Sequence, residues 1–73
     1  MSEWFYIRHR DGFEPKEIGP FETGAKTRNY IARNIVDNGH GGKSEAIKFA
    51  RSIPAQGACE FKPGLVFEVV RRD

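Results

Sequence analysis

The sequence predicts a single α+β domain over residues 1–73: a small antiparallel three-stranded sheet, in the order β-β-α-α-β, with one or two helices packed on one face. Three observations carry that reading. An Asp11-Gly12 pair separates two alternating apolar runs, which marks a β-hairpin. Two later stretches space their apolar residues at helical intervals. A final run, residues 65–71, is rich in β-branched and aromatic side chains.

The first strand is expected over residues 4–10 and the second over 13–21, joined by a two-residue type I′ turn whose positive φ angles Asp11 and Gly12 would supply. Alternation gives the first strand two unlike faces. Phe5 and Ile7 make one, read as core. Trp4, Tyr6, Arg8 and Arg10 make the other, mixing large aromatics with arginines as partner-binding surfaces do. Pro15 lacks an N–H for a ladder, so the second strand should lie at a sheet edge or carry a bulge. Gly19-Pro20 should end it and turn the chain towards a helix.

Thr23 is a good N-cap for a helix over 25–38. Ala25, Ile31, Ala32, Ile35 and Val36 fall on one arc, with Arg28 inside it; Lys26, Tyr30, Arg33, Asn34 and Asp37 lie opposite. Gly39 suits the C′ position. After a glycine-rich connector, Ser44 is expected to cap a short second helix over 45–53, stopped by Pro54. Residues 54–64 read as a loop. The last strand, 65–71, puts Leu65, Phe67 and Val69 on one face and Val66, Glu68 and Val70 on the other, and should pair beside the first strand.

Size and charge restrict function. Seventy-three residues give room for one modest core. The lone Cys59 cannot form an internal disulfide, no apolar run reaches the roughly 18 residues of a membrane span, and Met1-Ser2-Glu3 has no signal-peptide pattern. A reducing, cytosolic setting without a membrane partner is the expectation. Net charge is +2, unevenly spread: −2 over residues 1–22, +4 over 23–52 and zero over 53–73.

No convergent catalytic set is legible, so the chain is read as a non-enzyme with no metal and no cofactor. Gly41-Gly42-Lys43-Ser44 looks like the tail of a P-loop, but that motif needs a glycine where Asp37 stands and a strand where a helix is expected. His9 and His40 lie on different elements, and nothing near Cys59 would activate it. Two binding surfaces remain. The first is Trp4, Tyr6, Arg8 and Arg10, joined by Val66 and Val70 from the neighbouring strand and by Tyr30, as a protein-docking face. The second is the basic middle, Lys26, Arg28, Arg33, Lys43, Lys48 and Arg51, as a nucleic-acid-binding surface on which Tyr30 could stack a base.

The run Trp4-Phe5-Tyr6-Ile7-Arg8-His9-Arg10-Asp11-Gly12-Phe13, the Ile18-Gly19-Pro20-Phe21 turn and the ending at Asp73 carry a resemblance over essentially the whole chain. It resembles the small transcription regulators made by Xanthomonas-infecting lytic phages, which bind host bacterial RNA polymerase. That resemblance implies binding to the N-terminal part of the β′ subunit, inhibition of σ-dependent initiation, passage of elongating polymerase through terminators, and no catalysis. It implies work in the cytoplasm of the host cell, and a monomer is expected. Residues 4–21 also loosely resemble the start of GYF-type peptide-binding domains, through Trp4, Tyr6 and Gly19-Pro20-Phe21, without that family's later tryptophan.

Overall fold

Two hairpins enclose a pair of helices. The computed structural model describes residues 2–73, with strands β1 (Glu3–Arg10) and β2 (Lys16–Phe21), helices α1 (Gly24–Asp37) and α2 (Lys43–Ser52), and strands β3 (Ala58–Lys62) and β4 (Leu65–Arg72). The α+β class holds, and the sheet has four antiparallel strands, not three, in the order β2-β1-β4-β3. The added strand, β3, lies in the stretch read as a loop. Its alternation is only five residues long, Cys59 and Phe61 half-buried against exposed Ala58, Glu60 and Lys62. So short a pattern is unreadable until β4 offers a ladder beyond a turn at Pro63-Gly64, where Gly64 takes φ +85.

The turn after β1 also departs from expectation. The Phe13 N–H donates to the Arg10 carbonyl at 3.0 Å, but among the central residues only Gly12 has positive φ, +83. That is the signature of a type II turn; type I′ needs positive φ at both. β2 starts only after Pro15 and runs through Gly19-Pro20 instead of ending there. Its register slips there, so that Trp4 faces Phe21 while Tyr6 faces Ile18, a bulge that absorbs one extra residue.

Both helices end as their sequences require. Thr23 accepts from the Lys26 N–H at 3.1 Å as the N-cap of α1. Gly39, at φ +70, closes a Schellman turn in which His40 N–H donates to the Ile35 carbonyl and Gly39 N–H to that of Val36. α2 begins two residues earlier than expected: Gly42 is its N-cap, and Ser44 lies inside the helix. At its far end Arg28 donates from Nε and Nη2 to the Ile53 carbonyl, at 3.2 and 2.9 Å, tying α1 to the end of α2.

Both helices cover the same side of the sheet. The core comprises Tyr6, Ile31, Ala32, Ile35, Ala46, Ala50, Ile53, Leu65, Phe67 and Val69. Aromatic rings run through it in succession: Tyr30 stacks on Phe21 (4.8 Å), Phe21 on Tyr6 (6.1 Å), Tyr6 meets Phe67 (6.0 Å), and Phe67 meets Phe49 (6.1 Å). Phe49 in turn packs edge-on against Phe61 (5.0 Å), so Phe61 sits under α2.

The two glycines of the first hairpin separate backbone strain from steric conflict. A Cβ on Gly12 meets nothing within 4 Å, whereas one on Gly19 (φ +153) would lie 2.6 Å from Phe5 Cδ1 and 2.8 Å from the Trp4 carbonyl oxygen. In urea denaturation, Gly12→Ala should cost about 1 kcal/mol, the conformational penalty alone, and Gly19→Ala about 3 kcal/mol.

Candidate functional site

The sheet has one bare face. Residues paired across antiparallel strands point the same way, and the register Phe5↔Val70, Ile7↔Glu68, His9↔Val66 puts these six side chains together on the side away from the helices. All six are half-buried by one another and by no covering element. Phe5, Ile7, Val66 and Val70 form an apolar strip. Paired polar groups border it: His9 Nε2 and Glu68 Oε1 are hydrogen-bonded at 3.2 Å, and Arg72 forms an ion pair with Glu17 while its guanidinium lies 4.9 Å from the Phe5 ring centre.

This arrangement corrects the face assignment made from sequence. Tyr6 is only 4% exposed, a core residue among Phe21, Phe67 and the Asn34 amide. Trp4 is half-buried beside Gly24, and a Cβ there would come within 3.2 Å of the indole. Arg8 and Arg10 share this helix side, since they pair with Phe67 and Leu65. Val66 and Val70 lie on the opposite face, so they cannot form one surface with Trp4, Tyr6, Arg8 and Arg10. Tyr30, 45% exposed on α1, is remote from both valines, with one ring face on Phe21 and the Arg33 guanidinium 5.5 Å from its centre.

The basic middle does not assemble into one patch either. Arg28 is occupied by the Ile53 carbonyl, and Lys26 pairs with Glu22 at 3.1 Å. Arg33 and Lys43 flank a groove of about 310 Å³ between the helices, floored by Ala32, Val36 and Ile47 and shared with Asp37. Lys48 and Arg51 are exposed on α2.

Sequence reasoning missed Phe5, Ile7, His9, Glu68 and Arg72 as surface residues. The signal was present in the final strand, where one face is wholly apolar and the other contains Glu68. Among the described residues no group of three or more His, Cys, Asp or Glu is placed to hold a metal ion, and no helix is long and apolar enough to cross a membrane. Compared with known proteins, the chain matches no family model, no curated protein and no solved structure. The bare face therefore has to be interpreted from its own chemistry. An apolar strip whose bordering polar groups already have partners suits a flat protein surface better than a small polar ligand.

Two measurements test the corrected placements. Burial raises the Tyr6 phenol above its ordinary value, outweighing the Arg8 charge and an Asn34 hydrogen bond, which favour the phenolate. The unfolded chain then ionises first, so Tyr6 should help stability below about pH 10 and lose that contribution as pH rises through its folded-state pKa. Melts across the alkaline range should show a smaller loss in Tyr6→Phe than in the parent. Arg28→Ala should destabilise by about 2 kcal/mol in urea, because it strips the Ile53 carbonyl of a charged donor.

Proposed function

We propose that this chain is a non-catalytic transcription regulator, phage-encoded and acting in the host cytoplasm, that docks through its bare sheet face onto host bacterial RNA polymerase. In this reading the contact is with the N-terminal region of β′. It hinders σ-dependent initiation and lets elongating polymerase pass terminators.

The observation that carries the proposal is the uncovered strip of Phe5, Ile7, Val66 and Val70 with its paired charged border, on a sheet whose other side is already filled by two helices. A small chain with one finished side and one bare side is built as an adaptor. The bare side offers apolar area for affinity, and His9, Glu68 and Arg72 offer polar groups for register. The partner itself is supplied by the whole-length resemblance to phage regulators of this size. The residues now bet on are those of the bare face, with Val66 and Val70 retained from the sequence reading. Trp4 and Tyr6 contribute indirectly by fixing the sheet.

The test uses purified RNA polymerase, as core and as σ-holoenzyme, and the full chain. The parent should co-elute with core enzyme, suppress promoter-dependent transcripts and raise terminator read-through. Val66→Glu should weaken polymerase binding about 30-fold, the effect of losing roughly 2 kcal/mol at an interface centre, with an unchanged melting temperature. Lys48→Glu, on the outer helix, should bind as the parent does. Undiminished binding by Val66→Glu would remove the bare face from the proposal, and no polymerase binding by the parent would remove the proposal itself.

A further inference from the structure

We propose that the turn end of the sheet is a binding site for single-stranded nucleic acid, in which Arg8, Arg10, Lys16 and Lys62 neutralise backbone phosphates and Phe13 stacks on a base. This surface adjoins one end of the bare face at Phe13 but uses other residues, and the inference does not rest on the polymerase reading.

Three strands bring the cations together. Arg8 and Arg10 pair with Phe67 and Leu65 and so point to the helix side. Lys16 is the β2 partner of Arg8. Lys62 pairs with Leu65 beyond the slip in β3, which turns it to that same side. The helical layer ends over this spot in the connector of Gly39, His40, Gly41 and Gly42, so little side-chain mass covers the cations. His40 reports their convergence: its pKa is lowered first by burial and then by the charges of Lys62, Arg10 and Arg8.

Among the described residues, none of the four cations is held in an ion pair. The ion pairs among the described residues join His9 to Glu68, Lys26 to Glu22, Arg71 to Asp73 and Arg72 to Glu17, and none includes these four cations. Asp11 and Glu60 line a recess of about 360 Å³ that Arg10 and Phe13 also line, and Glu45 lies against Gly41 of the connector, but none of these carboxylates is within ion-pair distance of the four cations. Net charge along the chain conceals the cluster, because Arg8, Arg10 and Lys16 belong to its net-acidic first third. Like charges gathered on neighbouring strands and left out of ion pairs favour a bound anion.

Phe13 decides which polyanion. Among the described residues it is the most exposed large apolar one, at 65%, and the Arg10 guanidinium lies 4.7 Å from its ring centre. A flat aromatic beside backbone-tracking cations is the arrangement that holds unpaired bases. An acidic peptide would use the cations and leave the ring idle.

The experiment titrates the full chain into a labelled oligouridylate at several salt concentrations. With four phosphates neutralised, the log–log salt slope should approach about −2.8, a loss of roughly 50-fold between about 50 and 200 mM salt. Lys16→Glu with Lys62→Glu, both exposed positions, should weaken binding more than about tenfold and flatten the slope, with an unchanged melt. Phe13→Ala should weaken binding with the slope kept, and bound oligonucleotide should raise the His40 pKa in NMR titration while Lys48→Glu has no effect. No binding at the lowest salt, equal binding to polyglutamate, or indifference to the Lys16 and Lys62 reversals would overturn the proposal.

Discussion

Eight consecutive residues of β1 pair with β4 without a slip, from Glu3↔Arg72 to Arg10↔Leu65, and this pairing determines which side of the protein is which. Taken alone, β1 is ambiguous, because each of its faces carries apolar and charged residues. β4 is not. Leu65, Phe67 and Val69 are all but fully buried, while Val66 and Val70 flank Glu68. Turning that second face inward would bury a carboxylate, at a cost of several kcal/mol, and would expose Phe67. Turning the first face inward buries Tyr6 and brings Arg8 along. Arg8 lies at the margin of the helical layer, where a long side chain can keep its guanidinium in water. The second arrangement is cheaper by a wide margin, so β4 sets the orientation of β1.

Once the sheet has an inside, the helices have one place to go. The ring sequence from Tyr30 through Phe21, Tyr6, Phe67 and Phe49 to Phe61 draws on β2, β1, β4, β3 and both helices, so the core cannot be assembled from either hairpin alone. The helices are fastened to each other at one end by Arg28 on the Ile53 carbonyl and turned at the other by the Gly39 Schellman motif. One polar group is left over: Asn34 Oδ1 is buried beneath α1 with no hydrogen-bond partner among the described residues. In so small a domain that group costs a noticeable share of the total stability.

What the sequence disclosed follows from what is local. Thr23 and Gly39 bracket α1 because capping is decided within a few residues, and Pro54 marks the end of α2 for the same reason. The first hairpin and the last strand were legible from alternation. β3 was not, because a five-residue strand containing Glu60 and Lys62 has no signal apart from its partner. The site was misplaced on a non-local question. Whether Trp4 and Tyr6 or Phe5 and Ile7 face the core depends on register with a strand some sixty residues away, and alternation supplies the two faces without saying which is inside. Arg28, grouped with the nucleic-acid-binding cations, also falls inside the apolar arc of α1, and its bond to the Ile53 carbonyl agrees with the arc.

The same register separates two kinds of charge on this small surface. Around the bare face, Glu68 is paired with His9 on the adjacent strand and Arg72 reaches across β1 to Glu17 on β2, so its polar groups already have partners. A partner settling there displaces water from Phe5, Ile7, Val66 and Val70 without having to neutralise a charge, and its affinity should depend weakly on salt. At the turn end the pairing does the reverse. The β1–β2 register sets Lys16 beside Arg8, and Arg10 lies over Phe13, so like charges are neighbours and their field extends into solvent. Binding there releases counterions and is governed by ionic strength. With 73 residues and one core, the chain thus presents two surfaces of opposite physical character, and the pairing of β1 with β4 creates both.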